Sequence, residues 1–168
     1  MQNKNLTSLY EKFENEVISL SDRQIINLLS QFKKDDYVNF PIIFDLVVQK
    51  KIAVLEYLHE KGVPFTYKDS SGAQALHVAC GVLGSLEIVK FLTENDILSG
   101  INVQTDEGET PFLLAVMYNH EDIVRYLLNY YKPDLSITTV YGDDAFSLTK
   151  RNQNSNITLL LEDYKLRM

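Results

Sequence analysis

The sequence predicts an all-α solenoid: helix–turn–helix units that stack into one extended core. Two observations carry that expectation. The first is an internal repeat, the feature to seek before any other because missing it misreads the whole fold. Asp69-Ser70-Ser71-Gly72-Ala73-Gln74-Ala75-Leu76-His77-Val78-Ala79-Cys80 is followed by Glu87-Ile88-Val89-Lys90-Phe91-Leu92. Further on, Gly108-Glu109-Thr110-Pro111-Phe112-Leu113-Leu114-Ala115-Val116 is followed by Asp122-Ile123-Val124-Arg125-Tyr126-Leu127-Leu128. Both read as a turn, a short helix, a short link and a second helix. The second observation is spacing. The Ile-Val and Leu-Leu pairs recur at i, i+3 and i+4, which gives each second helix one apolar stripe.

Each element follows from local chemistry. Thr110 is placed to cap the first helix of its unit, and Pro111 falls in the first turn, where its missing N–H costs nothing. Gly72, Gly108 and Gly142 fall in tight turns that call for positive φ. Ala79 and Ala115 lie on the face that meets a neighbouring unit, where a small side chain permits close approach. A single unit cannot bury its apolar face, so stacking has to supply the core.

Two weaker units flank this pair. In the first, Ile42-Ile43-Phe44 opens a helix and Val54-Leu55, Leu58 and Gly62 follow; from Ile42 to Ala75 is 33 residues. The last starts at Gly142, with Ala145-Phe146-Ser147 opening a helix and Ile157 to Tyr164 forming the next. Ahead of them, Leu6, Leu9, Tyr10, Phe13 and Val17 mark one face of a helix. Ser21 to Gln24 reads as a capping box that opens another, carrying Ile25, Ile26, Leu28, Leu29 and Phe32. A solenoid end must cover its apolar face, so these helices are expected to form an N-terminal cap.

These residues resemble the ankyrin repeat, whose period is also about 33 residues. The third unit carries the resemblance best, through Gly108, Thr110, Pro111, Ala115, Asn119, His120, Ile123, Val124, Leu127 and Leu128. The second keeps Gly72, Leu76, His77, Ala79, Gly84, Ile88, Val89 and Leu92, with one extra residue in its link and a longer exit, Asp96 to Gly100. The resemblance implies an all-α ankyrin-repeat solenoid with short β-turn or hairpin loops. A cap over 1–37 precedes repeats at 38–69, 70–105, 106–139 and 140–168, all in one domain. It departs from the pattern at Gln74 and Asp144, which replace the capping Thr. Asp45 also stands beside the motif in the first unit, and the end units are therefore expected to be less stable than units two and three.

Composition narrows the function. Hydrophobic residues make up 45 % and charged residues 23 %, as in folded proteins generally. The net charge of −7 argues against nucleic acid, whose phosphates need Lys and Arg, and against anionic membrane. No apolar run approaches the roughly 20 residues of a membrane span. The N-terminus lacks a signal-peptide core, and the single cysteine, Cys80, fits a reducing compartment. A cytoplasmic protein, monomeric when free, is expected.

No catalytic, cofactor-binding or metal-binding residue is expected. His77 and Cys80 are three apart, close enough for a nucleophile–base pair, but the resemblance puts His77 where an imidazole ties neighbouring turns and Cys80 at a small position facing the stack. His120 sits in a link and shares no ligand spacing with the other histidines. The acid pairs Asp35-Asp36, Asp106-Glu107 and Asp143-Asp144 fall in turns, where Asp supports the backbone or stays solvated. Phosphate-loop, zinc-protease and nucleophile-elbow motifs are missing from the sequence.

What remains is protein binding. The resemblance implies that turn tips and the exposed sides of the first helices grip a partner on a concave face. Carried over, the expected partner-binding residues are Asp106, Glu107, Glu109, Met117, Tyr118, Tyr141, Asp143 and Arg151. Exposed aromatics amid charge are what a binding hot spot looks like. Acidity favours a basic partner. An immunity-type inhibitor of a basic enzyme or toxin, and an effector that binds a host protein, are the sharper alternatives. A second candidate contact is the Ile97-Leu98 exit, for which packing onto the helix ends is the competing expectation.

Overall fold

The computed structural model describes residues 19–32, 42–83, 85–95 and 100–167. The predicted helix from Leu6 to Val17, the link over 33–39 and the Ile97-Leu98 exit lie outside the described residues. All regular structure among the described residues is helical.

Helix α1 spans Asp22–Leu29 and begins as the capping box requires: Gln24 Oε1 accepts from the Ser21 N–H at 2.9 Å and from its hydroxyl at 2.7 Å. Four helix pairs follow. They are α2 (Ile42–Val48) with α3 (Ile52–Glu60), α4 (Ala75–Val78) with α5 (Leu86–Asn95), α6 (Pro111–Met117) with α7 (Glu121–Tyr130), and α8 (Ala145–Arg151) with α9 (Ser155–Leu166). First helices pack in series, α2 on α4, α4 on α6 and α6 on α8, while α5 meets α7 and α7 meets α9 behind them. Helix α1 packs on α3. One connected core runs from Ile25 to Tyr164.

Caps start the first helices at their proper register. Thr110 Oγ1 accepts from the Leu113 N–H at 3.1 Å with Pro111 next to it, and Asp144 Oδ1 accepts from the Ser147 N–H at 2.7 Å. Each satisfies a helix-end donor that would otherwise be unpaired. In unit two the bond is reversed: His77 Nδ1 accepts the Gln74 N–H, and the Gln74 amide donates to the Thr66 carbonyl instead. The extra residue of this unit is taken up by a π-helical turn, Ala79–Leu83, that extends α4. A π turn accommodates one added residue without breaking the helix.

The turns between pairs are tight hairpins that repeat one pattern. Asp69, Thr105 and Thr139 each donate their N–H to the carbonyl four residues on, at Ala73, Glu109 and Asp143. Glycines 72, 108 and 142 sit at φ 78°, 78° and 79°. Successive hairpins are then linked by backbone: the Asp106 N–H bonds Ser71 O at 2.8 Å, and the Val140 N–H bonds Glu107 O at 2.9 Å. A second ladder joins the opposite ends of the first helices. There Asn152 donates to Met117 O at 2.7 Å, Asn154 to Asn119 Oδ1 at 2.9 Å, and His120 Nε2 lies 3.3 Å from Gly81 O. Among the described residues no helix is long and apolar enough to cross a membrane.

Candidate partner-binding face

The hairpins and first helices place the expected residues in two groups. Asp106, Glu107 and Tyr141 stand on hairpin tips; Met117, Tyr118 and Arg151 lie at the far ends of α6 and α8. The hairpin ladder sets the first group. Because Val140 bonds Glu107, Tyr141 is held beside the preceding tip, where the Glu107 carboxylate pushes the phenol above its ordinary range. Tyr141 remains 78 % exposed and Tyr118 55 %. Tyr118 lies near-parallel to the His120 ring at 6.3 Å, which limits its rotamers.

Four more of the eight residues are also engaged within the chain. Arg151 and Asp143 form an ion pair at 2.8 Å, so these two charges largely cancel at the tip. Glu109 is half-buried and accepts from the Thr105 hydroxyl at 3.3 Å. Met117 is half-buried against the core. The exposed acids of the tips are thus Asp106 and Glu107, the latter beside Tyr141. Val140, a turn position, adds an apolar neighbour that is 61 % exposed.

The buried polar groups serve the scaffold. His77 is 1 % exposed; with Nδ1 accepting from Gln74, its Nε2–H donates to Val103 O at 2.9 Å. Both ring nitrogens are therefore occupied. Burial holds this imidazole below its ordinary pKa, against the bonds to the backbone of Val103 and Glu109 that favour the charged form. Cys80 is fully buried, and burial pushes its thiol up, away from the thiolate a nucleophile needs. Among the described residues no three His, Cys, Asp or Glu side chains gather as a metal site.

A second set of side chains on the outer helices has no counterpart in the expected site. Tyr126, Tyr130 and Tyr131 cluster on and just past α7, with ring centroids 5.1 Å (126–130) and 5.6 Å (126–131) apart. The sequence signal for them is the i, i+4 pair Tyr126 and Tyr130, which falls outside the Ile123-Val124 and Leu127-Leu128 stripe.

A repeated unit whose hairpins, caps and paired helices stack in this way defines a helical solenoid of interaction-scaffold type. Residues 43–139 match the family model described as ankyrin repeats in three copies, and the chain belongs to the ankyrin-repeat family. It is similar to an ankyrin repeat protein of Rickettsia bellii (strain RML369-C), 49 % identical over 84 residues that make up 49 % of this chain and 67 % of that protein. A second ankyrin repeat protein of the same strain is 25 % identical over 134 residues, 73 % of this chain and 74 % of that protein. Ankyrin repeats generally mediate protein–protein interaction, and the family is generally a non-enzymatic scaffold.

Proposed function

We propose that this chain is a non-enzymatic binding module. It holds a partner protein against its hairpin tips and first helices. The observation that carries this reading is the pairing of exposed aromatic and exposed acid on neighbouring tips: Tyr141 at 78 % exposure beside Glu107, with Asp106 on the same tip as Glu107. A rigid aromatic costs little entropy to bury, and its surrounding carboxylates select the partner's charge. The unit of action is one domain, with repeats at 38–69, 70–105, 106–139 and 140–168 behind an N-terminal cap at 1–37. The acidic tips favour a basic partner, which supports the inhibitor reading, immunity-type capture of a basic enzyme or toxin, over an effector that binds a host protein of unspecified charge. The place of action is cytoplasmic, and the free module is monomeric.

The test is affinity capture with the wild-type chain beside a Tyr118→Ala/Tyr141→Ala/Asp106→Lys variant, both checked for helicity by circular dichroism. A partner retained by the wild type and lost by the folded variant supports the reading. A partner that binds both equally removes the hairpin face from consideration.

A further inference from the structure

The outer helices carry a surface that the hairpin face does not use. A groove of about 750 Å³ lies between α5 and α7, and one wall is tyrosine. Tyr126 is the centre of that wall. Its hydroxyl lies 3.2 Å from Thr93 Oγ1 on α5 and 3.3 Å from the Tyr131 hydroxyl, so the rings are tied to the helix opposite. Tyr130 packs on Tyr126 and is 72 % exposed. An aromatic held in place yet left open to water is what an interface anchor requires.

Charge surrounds those rings on one side of the balance. Glu94, Glu121 and Asp122 line the groove. A neighbouring groove of about 530 Å³, between α3 and α5, shares Lys90 and Glu94 with it and adds Glu56, Glu60 and Glu87. Against six carboxylates stand Lys90 and Arg125. Arg125 is already spent on Glu121 at 2.8 Å. The Lys90 ammonium stands 5.7 Å from the Tyr126 ring centroid. The ring face therefore already receives a cation from within the chain, in the geometry that attracts an ammonium or guanidinium to an aromatic face.

We propose that this outer-helix groove is a second docking surface, and that its occupant is a cationic segment of a partner protein. Its Arg or Lys side chains lie on the exposed face of Tyr130 and pair with Glu94 and Asp122. Charge complementarity selects that occupant. An apolar helix laid here would strip water from carboxylates it cannot pair, which is costly. An acidic segment or a nucleic acid would be repelled. Arginine fits better than lysine, because its planar guanidinium stacks on a ring while still donating to a carboxylate.

The experiment follows residue-level amide shifts of the isotope-labelled full chain in physiological salt, titrated with a short peptide of alternating Arg and Ser. A Glu-Ser peptide is the control. The expected result is saturable shifts at Lys90, Glu94, Tyr126 and Tyr130, with the hairpins at Asp106 and Glu107 unmoved. Tyr130→Ala and the Glu94→Lys/Asp122→Lys variant should each weaken the Arg-Ser peptide about tenfold, while Asp106→Lys/Tyr141→Ala leaves it at wild-type affinity. Shifts centred on the hairpins, no saturable shift, or Tyr130→Ala binding as tightly as wild type would overturn the proposal. The last of these would reduce the groove to bare charge attraction. Because the two faces share no residue, failure here leaves the hairpin reading to its own test.

Discussion

His77 Nε2 lies 2.9 Å from the carbonyl oxygen of Val103, 26 positions along the chain. The bond crosses from the first helix of one unit to the segment that leads into the next hairpin, while Nδ1 of the same ring accepts from Gln74 at its own helix start. One buried ring thus joins a helix cap to the following turn. His77→Ala leaves a buried N–H and a carbonyl without partners and opens a cavity, so it should cost roughly 3 kcal/mol. Urea unfolding at neutral pH measures this. A loss within experimental error of zero would mean that the ring fills space and nothing more.

Stability should also depend on pH through that ring. Burial depresses the His77 pKa in the folded chain, so the unfolded chain binds the extra proton first as acid is added. The contribution is fully present above the ordinary histidine value of about 6.5 and is lost as pH falls through that value towards the folded one. A second loss follows at lower pH. Burial raises the Asp69 carboxyl, but the Ser71 hydroxyl and the Ser71 and Ala73 amides outweigh it and hold it below the usual carboxylate range. That contribution stands above the unfolded carboxylate pKa and disappears as pH drops through the folded one. Melting temperature against pH should therefore fall in two stages, and His77→Asn should flatten the upper stage alone.

How far the fold is legible before the structure depends on how local each cause is. The turn glycines, the Thr110 cap and Pro111 are legible because each answers a constraint within four residues. The π turn at Ala79–Leu83 is not. The extra residue of that unit could sit anywhere in the link, and packing of α4 between α2 and α6 decides. The ion pair of Asp143 and Arg151 depends on a rotamer reaching back along α8, so the spacing gives no hint that these two site residues neutralise each other. The groove tyrosines escape notice for another reason. A helix period picks out the buried stripe, and Tyr126 and Tyr130 lie off it, on a face whose meaning comes only from the neighbouring α5.

The turn glycines are not equivalent, although their φ values agree to within a degree. A Cβ on Gly108 would meet Val140 N at 2.9 Å and the Thr139 backbone at 3.0 Å, atoms of the next hairpin that cannot swing aside. A Cβ on Gly142 would meet nothing within 4 Å. Gly142→Ala should therefore cost roughly 1 kcal/mol, the strain of a left-handed backbone alone. Gly108→Ala adds the displacement of a backbone ladder and should cost roughly 3 kcal/mol or more. Paired chemical denaturation curves measure the difference. Equal losses would show that the hairpins slide past one another freely.

Hydrogen exchange should rank the units. The hairpin from Thr105 to Glu109 is bonded on both sides, to Ser71 before it and to Val140 after it. Its helix α6 starts from a satisfied Thr cap, and Pro111 through Val116 are all buried. Among the described residues the last unit packs only on the unit before it, and its outer helix exposes Leu159 and Leu166 at 63 % and 87 %. In a nearest-neighbour stack each missing interface lowers the free energy of local opening. Amides of α6 and α7 should therefore exchange more slowly than those of α8 and α9, with rates in the middle set by global unfolding. If α9 exchanges as slowly as α7, its single interface with α7 is worth as much as two. The solenoid would then unfold as one cooperative block from end to end.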